Sequence, residues 1–135
     1  MPESRVLRSP LTLVETFERT APLAEYKDAV TAFCRRVEED GLAGVRTFQF
    51  YVSQEVREAY LIITFSDANV FDRHIEFIGS LDELVPYGNT VRLKHFKAFG
   101  TLNAEILGKL RLADFQFEWV NEYVTGLVRN TERHE

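Results

Sequence analysis

Two side chains carry most of the chemistry that this sequence can offer, His74 and Glu15. His74 sits in Ser66 to Gly79, SDANVFDRHIEFIG, where Val70, Phe71, Ile75, Phe77 and Ile78 fan across one side at about 100° per residue. Asp72, Arg73 and Glu76 lie opposite, and the imidazole falls roughly 20° from the centre of the apolar arc. A group able to be neutral or charged near pH 7 is therefore aimed at an apolar interior. Glu15 lies in LTLVETF, where strand alternation sets it on the same face as Leu11, Leu13 and Phe17. A carboxylate turned toward apolar surroundings can orient a histidine or accept a proton from a substrate hydroxyl.

Burial would keep His74 neutral and competent as a base, able to remove a proton from a bound molecule. The competing reading is structural: the imidazole packs with its N–H on a backbone carbonyl, and Glu15 reaches water or an arginine near the strand's end. His95 and Lys97, read on one strand face with Val91, Leu93 and Phe99, are expected to be solvated. No His, Cys, Asp and Glu cluster has metal-ligand spacing, and no phosphate loop, dinucleotide fingerprint or nucleophile elbow occurs. Neither metal nor cofactor is expected.

The elements that must position these residues are legible in the patterning. Leu11 to Phe17 reads as a strand, and Thr20 with Pro22 opens a helix whose stripe is Leu23, Tyr26, Val30, Phe33 and Val37. Gly41 stops it, and Cys34 on its flank is expected to pack. Val45 to Ser53 and Ala59 to Phe65 read as strands joined by QEVRE. The His74 helix follows, then a looser stretch, SLDELVPYGN, and a strand over Thr90 to Phe99. Asn103 caps a short helix to Leu112, with Gly108 weakening it. Phe115 to Val124 alternates, with Phe115, Phe117, Trp119 and Tyr123 on one face.

This β-α-β-β-α-β order predicts an α+β fold, the ferredoxin-like split βαβ sandwich with an antiparallel sheet. Residues 1–10 read as a leader, 11–112 as the domain, 113–128 as a C-terminal strand extension, and 129–135, including His134, as a frayed tail. YLIITF and FQFYV are apolar on both faces, so something besides helices must cover the sheet. A second copy is the economical candidate, which predicts a homodimer with the C-terminal strand at the junction; the alternative is cover by the chain termini.

The chain has 135 residues, one domain's worth, and 45% are hydrophobic against 27% charged, as in a globular protein. A net charge of −5 with no Lys/Arg run argues against nucleic acid or an anionic membrane as partner. The first ten residues lack an apolar signal region and the single Cys34 excludes an intramolecular disulfide, so the expected compartment is the cytoplasm.

Element order together with AYLIITFSDANVFDRHIEF, the loose segment before the fourth strand, and FKAFGTLNAEIL resembles the dimeric α+β barrel superfamily and, within it, the antibiotic biosynthesis monooxygenase-like domain. The resemblance spans Leu11 to Leu110. It implies two sheets paired across a dimer and a small-molecule site between sheet and helices. Some members oxidise phenolic or quinol-like substrates with O2 and no cofactor; others cleave haem, isomerise lactones or have no known activity. Phe71-x-x-His74 matches the aromatic and helix histidine found in many of the monooxygenase-like members. The haem-degrading pattern is not matched, since no Asn occurs between Leu11 and Phe17 and the sole tryptophan is Trp119. The Asn-Trp-Arg set of the cofactor-free monooxygenases finds no counterpart either. The expected function is a cofactor-independent monooxygenase-like enzyme acting on a small hydrophobic aromatic, with a non-catalytic binding or self-associating protein as the alternative.

Overall fold

A computed structural model describes residues 4–6 and 9–129. In chain order the elements are β1 (Ser4–Val6), β2 (Leu11–Arg19), α1 (Leu23–Asp40), β3 (Val45–Val52), β4 (Glu58–Phe65), α2 (Ala68–Gly79), α3 (Leu84–Gly88), β5 (Val91–Phe99), α4 (Ala104–Leu112), β6 (Gln116–Val120) and β7 (Leu127–Arg129). The main sheet runs β3-β4-β2-β5-β6. Its first four strands are antiparallel and carry the split βαβ order, with β2 and β4 in the middle.

Alternation along β2 explains the sandwich. Leu11, Leu13 and Phe17 are buried toward the helices and join Leu61, Ile63, Phe65, Phe96 and Ala98 in one core. Phe33 of α1 closes that core, stacked on Tyr87 at 5.1 Å and edge-on to Phe48 at 5.5 Å. Helices α2 and α4 start where short polar side chains satisfy their free N–H groups. Asp67 accepts from Asn69 N at 2.9 Å and Val70 N at 3.2 Å, and Asn103 accepts from Ile106 N at 2.8 Å. Asn103 also donates to Asp72 at 2.9 Å, tying α4 to α2. Thr20, expected to cap α1, instead reaches the Asn89 carbonyl at 3.5 Å, and Pro22 is the N-cap residue.

Four features differ from the sequence reading. The segment after α2 is not merely loose: Leu84–Gly88 forms a helical turn that carries Tyr87 into the core. In β5 the register against β2 shifts between Thr16 and Phe17, leaving Lys94 as the extra residue of a bulge. Val91 and Leu93 therefore face the helices, as do Phe96 and Ala98 beyond it, while His95, Lys97 and Phe99 are turned to the opposite face. There His95 and Lys97 lie 2.9 and 3.9 Å from Glu118, so they pair on the open face instead of sharing one with Val91 and Leu93. The C-terminal strand is shorter than expected and joins the sheet, parallel to β5, through the α4 crossover. Its aromatic side chains turn toward the core, where Phe115 stacks on Phe96 at 5.8 Å. Finally, Ser4–Val6 of the expected leader pairs antiparallel with Leu127–Arg129, which includes the first residue of the expected tail. Residues 130–135, with His134, lie outside the described residues.

Gly100 ends β5 at φ +119°, and a Cβ there would stand 2.5 Å from the Pro10 carbonyl. Its own N–H and carbonyl hold β6 in place, through Val120 O at 2.8 Å and Trp119 Nε1 at 2.7 Å. Gly100→Ala is expected to cost about 2 kcal/mol or more in urea unfolding, from backbone strain plus the Cβ clash with the Pro10 carbonyl. Gly108→Ala is the contrasting case: its site in α4 is open, and alanine should stabilise by about 0.5–1 kcal/mol. Equal effects of the two substitutions would show that Gly100 is not strained.

Candidate active site

His74 and Glu15 both project to the side of the sheet that the helices cover. The α2 helix is seated by Gly44, where a Cβ would stand 2.5 Å from Val70 Cγ2, so backbone and helix approach as closely as glycine allows. This sets His74 between Phe48 and Phe65, with ring centroids at 5.6 and 5.4 Å. The residue is 1% exposed, and neither ring nitrogen has a hydrogen-bond partner among the described residues. Burial without compensation pushes its pKa down to about 4, so the imidazole is neutral at pH 7. The expected backbone carbonyl partner is absent, and no carboxylate orients the ring.

Glu15 is placed differently. Its neighbours across the ladder are Leu61 on β4 and Phe96 on β5, both core residues. It keeps some accessible surface where its strand-mates Leu11 and Leu13 keep none. Burial of the carboxylate raises its pKa to about 7. Among the described residues no hydrogen bond or ion pair offsets that, and no arginine there is engaged as the expected alternative partner. Nearest in electrostatic terms is Tyr87, whose hydroxyl is held above its ordinary range by burial, then by the Glu15 charge, then by Tyr26. The two sequence-derived candidates thus share an interior but not a hydrogen bond. Tyr87 is the polar group that the sequence reading missed, although Leu81, Leu84 and Tyr87 repeat at a spacing of three and mark a helical turn.

Cys34 packs as expected, its thiol directed at the Phe48 carbonyl at 3.9 Å and its pKa pushed up by burial. Among the described residues no group of three or more His, Cys, Asp and Glu could hold a metal ion, and no helix is long and apolar enough to cross a membrane.

A groove of about 900 Å³ lies on the other side of the sheet, between its open face and the segment after β6. Thr12, Thr47, Thr64, Phe99, Val120 and Tyr123 are among its walls. The C-terminal segment thus covers one end of the face that the sequence left unaccounted for. Neither His74 nor Glu15 reaches this groove.

A five-stranded sheet, four of its strands in ferredoxin-like order and covered by helices on one face, defines the fold. It is the α+β fold of the antibiotic biosynthesis monooxygenase-like proteins. The solved structure of MupZ from Pseudomonas fluorescens superposes with a TM-score of 0.62 at 17% identity, covering 87% of this chain and 94% of that one. SnoaB, a cofactor-independent oxygenase from Streptomyces nogalater, gives a TM-score of 0.57 at 14% identity, over 72% of this chain and 97% of its own. A putative antibiotic biosynthesis monooxygenase from Caulobacter crescentus gives 0.54 at 14% identity, over 72% and 93%. The overlap with MupZ takes in more residues than 11–112 contains, so that likeness reaches into the added segments. No protein-family model matches the chain, and no curated protein matches it in sequence.

Proposed function

We propose that this protein is a cofactor-independent monooxygenase-like enzyme that oxidises a small hydrophobic aromatic of the quinol or phenol type with O2. The observation that carries the reading is Glu15, a carboxyl with no partner among the described residues, set beside Phe96 in the interior and held near neutrality. A carboxylate of that basicity accepts the proton of an aryl hydroxyl, and the aryl anion then gives an electron to O2. An apolar enclosure protects the radical pair from water. Its fold is one that a cofactor-independent oxygenase also uses. Of the two candidates, Glu15 is assigned the base because it alone keeps accessible surface. His74 is the second: neutral and without a partner, it meets a ligand only where Phe48 and Phe65 give way.

The test is oxygen consumption by the purified protein across quinols, anthrones and polycyclic phenols. Saturable, protein-dependent uptake with one atom of 18O2 entering the product supports the reading. No uptake across the panel counts against it and favours the second reading, a non-catalytic binding or self-associating protein. The groove and the uncovered face bearing Val14, Tyr51, Tyr60 and Ile62 supply that alternative.

The same face supports pairing with a second copy of the chain, sheet to sheet. Sedimentation equilibrium should return twice the 15.6 kDa chain mass, and Ile62→Lys should shift the protein toward monomer. A monomer at every concentration would end the proposal.

A further inference from the structure

The groove on the open face of the sheet is graded from polar to apolar, and strand order sets the gradient. The register lays Thr47, Thr64, Thr12, Phe99 and Val120 side by side in one row across β3, β4, β2, β5 and β6. All five line the groove of about 900 Å³, joined at the β3 end by Arg46 and Ser66. Arg46 is the extra residue of a bulge between Val45 and Thr47, so two consecutive side chains line the same groove. Its guanidinium enters no ion pair among the described residues. Thr47 Oγ1 accepts from Thr64 N at 3.0 Å and keeps its own proton to donate. The Thr12 and Thr64 hydroxyls, 3.4 Å apart, keep one more between them. The β6 end is apolar, where Val124 joins Phe99 and Val120. Glu122 is the one acidic residue among the walls, and it follows Val120 by two residues, at the sheet edge opposite Arg46. With neighbouring strands about 4.8 Å apart, the two edges stand roughly 19 Å from one another.

We propose that this groove is a binding site for an amphipathic carboxylic acid, its carboxylate on Arg46 and the threonine hydroxyls and its hydrocarbon tail lying across Thr12 onto Phe99 and Val120. The head group is an anion because the side chains at that end can all donate and one of them is a cation. A single guanidinium supplies the paired N–H donors that a carboxylate takes, and among the described residues no second cation lines the groove to balance the further charge of a phosphate. The tail follows from the apolar end and from the span between the edges, which suits a chain of medium length, and the volume is that of a small-molecule site. Val14 and Ile62 lie in the next row along the strands, so the part of the face assigned to pairing stays free. The site is separate from the sheet–helix interior and stands or falls without the oxygenase reading.

The experiment titrates decanoic acid and decanol into the whole protein at neutral pH, by calorimetry. The unmodified protein should bind decanoate about ten-fold or more tightly than the alcohol, which has the same tail and no charge. Arg46 is exposed, so Arg46→Gln leaves the fold intact; it should weaken decanoate by about ten-fold and leave decanol unchanged. Phe99→Ala should weaken both ligands alike, by about ten-fold, because it removes apolar surface under the shared tail. No binding of either ligand, equal affinities in the parent, or an Arg46→Gln variant that keeps the preference overturns the proposal. So does a dimer that Phe99→Ala dissociates while neither ligand binds, since a second copy of the chain then fills the groove.

Discussion

Glu15→Gln is expected to lower substrate-dependent oxygen uptake by about 10²-fold or more, with the fold retained. Glutamine fills the same space between Leu61 and Phe96 but has no basic oxygen to receive a proton, and removing a positioned general base typically costs that much. The pH profile should change in kind as well as in size. With its carboxyl raised to about 7, the parent's kcat/KM should climb as pH rises through that value, because only the ionised form takes a proton. The Tyr87 and Tyr26 hydroxyls are both raised from their ordinary value and stay protonated across this range, so they add no second limb. In the glutamine variant the residual rate should be flat there. Stability gives an independent readout. A carboxyl raised above its ordinary 4.5 contributes stability that is fully present below that pH and is lost as pH rises through about 7. Denaturant unfolding should therefore find Glu15→Gln gaining on the parent between pH 5 and pH 8. Full activity in a variant with that stability signature would leave Glu15 a buried carboxyl and remove it from catalysis.

The sequence exposed the parts of this arrangement that follow from local periodicity. Alternation in LTLVETF was enough to turn Glu15 toward the core, and the 3.6-residue stripe of SDANVFDRHIEFIG was enough to bury His74. What stayed hidden depends on partners distant in the chain. The face of His95 and Lys97 hinges on Lys94, an extra residue visible only once β5 is laid against β2. The aromatics of β6 look like interface material until the α4 crossover brings them onto Phe96. The Tyr87 turn hides behind Pro86 and Gly88, which read as breakers, although a single turn of helix tolerates both. The absence of any partner for His74 among the described residues is also a matter of tertiary structure, since its ring lies against two phenylalanines from different strands.

That isolation makes His74 a measurable stability switch, with a sign opposite to that of Glu15. Its pKa is pushed down to about 4 from an ordinary 6.5 by burial alone, so below pH 6.5 the unfolded chain takes up a proton that the folded chain refuses. The parent should lose about 3 kcal/mol of stability to this residue as pH falls from 6.5 to 4. His74→Leu, close in volume and unable to titrate, should lack that loss; the informative quantity is the difference between the two slopes, which cancels any packing cost common to both pH values. Over pH 4.5 to 6.5 the two buried groups oppose one another, Glu15 favouring the acid side and His74 the neutral side. The parent's dependence there should be shallow, steepening downward toward acid in Glu15→Gln and toward base in His74→Leu. If His74→Leu loses as much as the parent on acidification, the imidazole has water or a hydrogen-bond partner in solution. The space around it would then be open to a ligand, and His74 would regain its place beside Glu15 as a group that meets substrate.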